Sequence, residues 1–213
     1  MQKLIECVPN FSEGRDPAVI RQITSAIESV EGIFLLDVDP GATTNRTVVT
    51  FVGSPEAAVE AAFRGMAKAA ELIDMRKHTG AHPRMGATDV CPFVPISNVS
   101  WEEAIQCAQA LGDRVGKELQ IPVYLYEKAA RDSSRSNLAV IRAGEYEAFA
   151  EKIKEPRWKP DFGPAVFNQK SGATAIGARQ FLVAYNVNLN TKSVRRANSG
   201  AFYFRENGRV KTD

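Results

Sequence analysis

The feature that most constrains the fold is the regular exchange of two hydrophobic periods along the chain. Segments whose apolar residues alternate with the period of two typical of β-strands are separated by segments with the 3.6-residue period of helices. The first six of these segments run strand, helix, strand, strand, helix, strand, which is the order of a split βαβ unit. We therefore predict an α/β (α+β) sandwich, a mixed β-sheet with helices on one face.

Turn and capping residues set the limits of these elements. Asp16 and Ser54 are each followed by a proline, as at a helix start, and Ser100 begins a capping box. Residues 137–153 predict helix in two pieces, and the proline- and glycine-rich residues 156–177 predict mostly loop. The predicted strands are 4–8, 33–39, 46–52, 89–94, 122–126 and 181–189.

Several predicted strands carry polar side chains among their apolar ones. Strict alternation places Asp37 and Asp39 on the face of their strand that also carries Ile33 and Leu35. The first and last predicted strands add further polar residues, Glu6, Asn10, Asn186, Asn188 and Asn190. Burial without a partner costs about 1–3 kcal/mol for each polar group. This face of the sheet therefore either meets water or lines a polar cavity, and the sequence leaves both open.

The loop 78–86, with the sequence HTGAHPRMG, contains both histidines of the chain. Imidazole is the side chain that ordinarily titrates near neutral pH, so chemistry that needs such a base would use His78 or His82. Two histidines at this spacing bind zinc when they lie on one face of a helix. Gly80 and Pro83 argue against a helix, and no third ligand has a recognisable spacing. We therefore predict no metal site, and for His78 either a structural role or a role in supporting a residue that contacts the substrate.

Bulk properties argue against several classes of partner. The net charge of +2 is too small to indicate nucleic acid or an anionic membrane. No apolar run reaches membrane-spanning length, and the first residues lack the apolar core of a signal peptide. The three widely spaced cysteines indicate reduced thiols, so we expect a cytoplasmic protein. The glycine-rich residues 163–177 lack the Lys-Ser/Thr ending of a phosphate-binding loop.

Eight short segments carry a more specific signal in combination. They are 7–14 (CVPNFSEG), 36–39 (LDVD), 44–48 (TNRTV), 82–86 (HPRMG), 89–93 (DVCPF), 122–126 (PVYLY), 141–146 (IRAGEY) and 160–164 (PDFGP). With these segments the chain resembles the formiminotransferase family. The resemblance covers roughly residues 2 to 190 without a large gap.

This resemblance implies transfer of the formimino group from N-formiminoglutamate to the co-substrate tetrahydrofolate in histidine degradation, without a metal. It implies two subdomains whose sheets face each other across a folate tunnel, so that the polar face of the sheet lines the ligand. Residues 1–178 match the N-terminal subdomain, and residues 179–213 look like the start of a truncated C-terminal one. The catalytic histidine of the family falls on His82. Its folate-contacting segment falls on Gly163, Pro164, Ala165, Val166, Phe167, Asn168, Gln169, Lys170, Ser171 and Gly172.

Two residues are candidates for direct roles in this chemistry. His82 could take the proton from the attacking nitrogen and return it to the departing one, because its ordinary pKa suits both steps. The alternative for His82 is a loop-organising residue bonded to backbone. Asp39 could orient the cationic amidine, or it could form the turn before Pro40 and Gly41.

Further residues are candidates for substrate binding. Arg46 could clamp a glutamate carboxylate with its planar guanidinium, although most strand arginines are solvated. Asn10 lies in a polar loop that could bind substrate or cap the following helix. Arg84 and Lys170 could contact substrate or folate; alternatively, Arg84 pins its loop and Lys170 is solvated.

Three functional hypotheses remain at this point. The first is formimino transfer, and the second is a related folate-dependent formyl transfer with a different donor. The third is a catalytically idle folate-binding or assembly protein, which the incomplete second subdomain makes plausible. The resemblance also implies a homodimer and a possible cyclodeaminase partner.

Overall fold

The computed structural model describes residues 2–182 and 189–204. The chain divides into two units, one ending at Gln180 and the other beginning at Phe181. Within the described part of the first unit, the strands form a seven-stranded sheet. They are β1 (Leu4–Cys7), β2 (Asn10–Phe11), β3 (Phe34–Gly41), β4 (Arg46–Gly53), β5 (Thr88–Ser97), β6 (Val123–Glu127) and β7 (Thr174–Ala178).

Helices connect these strands and follow the predicted limits closely. In the first unit they are α1 (Pro17–Glu28), α2 (Pro55–Leu72), α3 (Trp101–Arg114), α4 (Leu138–Arg142) and α5 (Glu145–Lys152). Asp16 caps α1 by accepting hydrogen bonds from the backbone of its first turn, and Ser54 caps α2. The capping box at Ser100 is present. The predicted break near Gly144 separates α4 from α5.

The sheet confirms the α/β class and the split βαβ order. β1 and β2 lie in line between β4 and β5 and pair antiparallel with both. β3 forms a hairpin with β4 at one edge of the sheet. On the other side β5, β7 and β6 are parallel neighbours. The first strand is thus central, and the two helical crossovers place α1 and α2 on the same face.

The main core lies between the sheet and a layer formed by α1, α2 and α3. Alternation along β4 turns Val49 and Phe51 towards these helices, where they are fully buried. Cys7 and Cys91 belong to the same core and are free thiols. Burial raises the pKa of Cys7 well above its ordinary value, so this thiol stays protonated at neutral pH.

The opposite face of the sheet is divided into a covered part and an open part. Over β6 and β7 it carries a second apolar cluster, in which Tyr124 packs edge-on against Phe149 and Trp158. Over β1, β3 and β4 no helix of the first unit covers this face among the described residues. There the side chains are mostly polar or half-buried, which agrees with the polar face predicted from the sequence.

Two sequence expectations are wrong. Residues 174–177 were expected to be loop, yet they belong to β7, which lies between β5 and β6. The strand escapes notice because it is short, made of small residues and buried on both faces, so it lacks alternation.

The second error concerns the faces of β3. A bulge at Leu36 shifts the register, so that Leu35 pairs with Phe51 but Asp37 pairs with Thr50. A bulge adds one residue to the strand, so the side chains that follow it lie on the opposite face from the one that strict alternation predicts. Asp37 and Asp39 therefore lie on the open face, opposite to Leu35.

The second unit is described only in part. Residues 194–204 form a helix, α6 (Val194–Phe204). The strand expected at 181–189 falls mainly on residues 183–188, which lie outside the described residues, as do Asn186 and Asn188. Phe181, Leu182 and Leu189 are described and are not in a strand. Among all described residues, no helix has both the length and the apolar character needed to cross a bilayer.

Candidate functional site

The candidate site lies on the open face, at the end of the sheet where the ends of β3, β4, β2 and β5 meet. Asp39 pairs with Val48, Val48 with Asn10, and Asn10 with Val90, so these residues form one row across four strands. Neighbouring strands are about 4.8 Å apart, which places Asp39 and Asn10 roughly 10 Å from each other. Arg46, the first residue of β4, lies on the same face as Val48 and two residues nearer the end of the sheet. Three predicted site residues are thus brought together by strand register.

Asp39 is exposed and lies within strand β3. The hairpin turn comes later, where the Thr44 hydroxyl donates to the carbonyl oxygen of Gly41 at 3.0 Å. The contacts therefore give Asp39 no part in that turn, which was the alternative to a role in binding the amidine.

Arg46 and Asn10 are joined directly. One terminal nitrogen of the guanidinium donates to the side-chain oxygen of Asn10, and the Asn10 amide donates to the carbonyl oxygen of Val8 at 2.9 Å. Burial lowers the pKa of Arg46, while the carboxylates of Asp89 and Asp39 oppose that shift. Arg46 is thus not a freely solvated strand arginine, because its head is partly buried and oriented.

The loop that carries the histidines is held against the hairpin and β7 by close backbone approaches. A side chain at Gly80 would collide with the backbone of Thr44, and one at Gly86 with the backbone of Ser171 and Ala173. Only glycine permits these distances. The loop is therefore fixed at both ends, and His82 lies between them.

His78 is structural, as the sequence suggested. Its Nε2 donates to the carbonyl oxygen of Asn45 at 2.8 Å, and its Nδ1 accepts from Arg84 at 3.2 Å. These contacts require a neutral ring, and burial lowers the pKa of His78. The imidazole links the loop to the start of β4.

Arg84 was a candidate for substrate binding, but its contacts favour the alternative of pinning the loop. The guanidinium is buried and donates to Glu145 at 3.0 Å and to Glu147 at 2.6 and 2.8 Å. It also donates to both the backbone and the ring of His78. Few donors remain for a ligand.

His82 has a different environment. Its ring is half-buried and has no hydrogen-bond partner among the residues that the structure describes, so nothing supports the loop-organising alternative. Burial lowers the pKa of His82 to about 4, and the positive charges of Arg46 and Arg142 add to the effect, while Glu145 opposes it. At neutral pH the ring is uncharged and can accept a proton.

Sequence reasoning assigned no role to Arg142 or Asp89, although both belong to this site. Arg142, in the last turn of α4, donates to one carboxylate oxygen of Asp89 at 2.6 Å. The other oxygen accepts from the backbone nitrogen of Met85 at 3.0 Å. Burial raises the pKa of Asp89, and Arg142 opposes this rise. An aspartate within an apolar strand needs a cation, which was the available signal.

Two open clefts flank the corner between α4 and α5. One, of about 490 Å³, is lined by Thr79, Gly80, Arg84, Gly144, Glu145 and Glu147. The other, of about 270 Å³, is lined by Pro83, Ala139, Arg142, Ala143, Gly144 and Glu145. The second cleft brings the residue that follows His82 together with Arg142.

The segment expected to contact folate runs from the end of the helix layer to the histidine loop. Gly163 packs against Gly116 and Ile121, whereas Gly172 forms a bridge with Gly86. Between them, the Phe167 ring packs against the rings of Tyr146 and Phe149.

The other side chains of this segment fall into two groups. Pro164, Ala165, Val166 and Gln169 are exposed or half-buried. Asn168 donates to Gln120 and Lys170 donates to the carbonyl oxygen of Glu71, while Ser171 is buried. Lys170 is thus engaged at the end of α2 rather than simply solvated.

The described residues, 2–182 and 189–204, contain no group of three or more histidine, cysteine, aspartate or glutamate side chains arranged to hold a metal ion.

Comparison with known proteins shows the family of the chain. Residues 4–179 match the family model for the N-terminal subdomain of the formiminotransferase domain. The chain is 55% identical over 212 residues to a formimidoyltransferase-cyclodeaminase of Rattus norvegicus, covering 99% of this chain and 39% of the relative. It is 54% identical to a glutamate formimidoyltransferase of Thermoplasma acidophilum, covering 90% of this chain and 63% of the relative. A glutamate formimidoyltransferase of Streptococcus pyogenes is 45% identical, with 98% and 70% covered. The chain thus spans about two-fifths of the length of the rat relative.

Proposed function

Because the chain belongs to the formiminotransferase family, we propose that it transfers the formimino group of N-formiminoglutamate to tetrahydrofolate. The observation that carries the proposal is the place of His82, a half-buried imidazole in a loop held against the hairpin beside the strand ends that bring Asp39, Asn10 and Arg46 together. Relatives named glutamate formimidoyltransferase support the transferase activity. The polar strand ends that carry Asp39, Asn10 and Arg46 support a small charged substrate.

The reaction forms one bond and breaks one. N5 of tetrahydrofolate attacks the amidine carbon, and the bond from that carbon to the glutamate nitrogen breaks. The attacking nitrogen must lose a proton and the departing nitrogen must gain one. A single base beside both nitrogens serves each step, which contributes on the order of 10²–10⁴-fold to the rate.

We assign the proton transfers to His82. The ring enters the reaction neutral, because burial and the two arginines disfavour its charged form. A base with a pKa near 4 is weak, so the assignment works best if an anion neutralises the arginines when substrate binds. The carboxylates of N-formiminoglutamate provide such an anion.

The other candidate residues take binding roles in this proposal. Asp39 faces the positively charged amidine across the open sheet face, and Arg46 takes a carboxylate. Tetrahydrofolate lies along residues 163–172, where the Phe167 ring and the exposed Gln169 offer an apolar and a polar surface. Holding both substrates together supplies the remaining acceleration.

The family also suggests partners and a compartment. We propose a cytoplasmic protein that forms a homodimer; the exposed Phe34 and Leu36 on edge strand β3, which are 62% and 58% accessible, support self-association. Association with a cyclodeaminase is part of the proposal, because the rat relative carries both names.

One assay tests the proposal. The purified chain is mixed with tetrahydrofolate and N-formiminoglutamate, and 5-formiminotetrahydrofolate is followed by absorbance. Formation of that product with stoichiometric release of glutamate is expected. Turnover only with a formyl donor, or folate binding without turnover, would overturn the proposal.

A further inference from the structure

The side chain of Arg142 is only partly used by the protein. Its side chain is 16% exposed, and one terminal nitrogen is bound to Asp89. Its Nε atom is buried and has no hydrogen-bond partner among the described residues. A guanidinium carries five N–H donors, so several directions remain unfilled.

The guanidinium of Arg46 is likewise only partly used in hydrogen bonds. One terminal nitrogen donates to Asn10, and its Nε is also buried without a partner among the described residues. Unsatisfied buried donors are uncommon in folded proteins and require an explanation. Arg46 is bonded to Asn10, which pairs with Val90, and Arg142 is bonded to the neighbouring Asp89, so both arginines are tied to the same place on the sheet. Two such donors at one place point to a ligand that completes them.

The charge balance of this cluster favours an anion. Arg46 and Arg142 carry two positive charges, and the buried carboxylate of Asp89 offsets one of them. Glu145, whose charge raises the pKa of His82, is already paired with Arg84. Asp39 is exposed to solvent on the edge strand β3. One positive charge therefore remains near His82, and the cleft lined by Pro83 and Arg142 gives access to it.

We propose that Arg46 and Arg142 together form a carboxylate receptor beside His82, and that it binds the α-carboxylate of the amino-acid substrate. The assignment to the α-carboxylate rests on the proposed function. In N-formiminoglutamate only the α-carbon separates this carboxylate from the nitrogen that departs, whereas the γ-carboxylate lies two further carbons away. A group that binds the α-carboxylate must therefore stand next to the base that serves that nitrogen.

The first test measures binding of L-glutamate to the purified chain by calorimetry. Arg142→Gln should weaken binding roughly 10- to 100-fold, because hydrogen bonds to a charged group are lost. Arg142→Lys should fall between, since lysine keeps the charge but not the planar fork. Arg157→Gln is the control, because Arg157 is exposed and its guanidinium pairs with Glu155 and lies over the Trp158 ring, away from the two arginines. No binding to the wild type, or equal binding by Arg142→Gln, would overturn the receptor.

Arg142→Gln alone leaves Asp89 buried without a cation, which could unfold the chain. The double variant Asp89→Asn/Arg142→Gln removes both charges and keeps similar shapes. We expect it to melt close to the wild type and still bind L-glutamate at least 10-fold more weakly. A folded double variant with full affinity would contradict the proposal.

Ligand truncation identifies the carboxylate. 4-Aminobutyrate lacks the α-carboxylate of glutamate, so Arg142→Gln should not change its affinity. An equal loss for both ligands would overturn the assignment to the α-carboxylate.

Parallel transfer assays separate this inference from the proposed function. No transfer by the wild type, together with Arg142-dependent binding of L-glutamate, would overturn the function and keep the receptor. Transfer by the wild type, together with L-glutamate binding that does not depend on Arg142, would keep the function and overturn the receptor.

Discussion

The guanidinium of Arg46 donates a hydrogen bond to the side-chain oxygen of Asn10 on the adjacent strand. The Asn10 amide is held in turn by the carbonyl oxygen of Val8. A short polar side chain on one strand thus fixes the direction of a long cation on the next. This pair explains why neither residue behaves as a solvated strand residue.

Replacing Asn10 with alanine should release Arg46 from this orientation. We expect Asn10→Ala to weaken L-glutamate binding by about 10-fold, since one charge-assisted hydrogen bond no longer orients the cation. Calorimetry measures the effect. Asn98→Ala, in a distant exposed turn, is the control and should bind normally. Normal binding by Asn10→Ala would show that Arg46 does not need this partner.

The titration of His82 should report on its arginine neighbours. NMR of the two imidazole rings should give a midpoint near 4 for His82 in the free protein. Removing a nearby positive charge makes protonation easier, so Arg142→Gln should raise this midpoint, and saturating L-glutamate should raise it in the wild type. The His78 resonances serve as the internal reference. A midpoint that both changes leave in place would contradict the described surroundings of His82.

Asp39 offers a test of amidine binding with a matched control. Asp39→Asn removes the negative charge on the open face and should raise the KM for N-formiminoglutamate more than the KM for tetrahydrofolate. Asp37→Asn is the control. Asp37 is exposed on the same face of β3, but it lies two residues further along the strand from the end of the sheet that carries the site. Equal effects of the two substitutions would argue against a specific role for Asp39.

Lys152 anchors the end of α4, and with it Arg142. Its ammonium donates to the carbonyl oxygens of Ile141 and Ala143 at 2.6 and 2.8 Å and lies over the Trp158 ring. Burial lowers the pKa of Lys152 to about 8, against an ordinary value of 10.5.

Between pH 8 and 10.5 the unfolded chain holds a proton at Lys152 that the folded chain has lost. The free energy of unfolding should therefore rise with pH in this window. Lys152→Met removes that proton, so the wild type should gain stability relative to this variant as the pH rises from 8 to 10.5. Urea unfolding at several pH values measures the difference. A constant difference would show that Lys152 titrates normally.

Much of this architecture could be predicted from local pattern. Capping residues marked the helix starts at Asp16, Ser54 and Ser100, because a cap depends only on its own turn. The histidine loop was predicted for a similar reason, since glycine and proline break regular structure wherever they occur.

The errors and omissions depend on long-range relationships. The bulge at Leu36 arises from pairing with β4, and β7 becomes a strand because β5 and β6 flank it. The contact of Asp89 with Arg142 joins residues 53 positions apart. No local period encodes such a pair, so the two-arginine site became visible only in the fold.

The central claim is that the imidazole of His82 moves the proton in formimino transfer. The most direct measurement is the rate of 5-formiminotetrahydrofolate formation by His82→Ala beside the wild type, with L-glutamate binding measured on the same samples. The account predicts a loss of about 10²–10⁴-fold in rate with binding retained. Near-normal turnover by His82→Ala would contradict it.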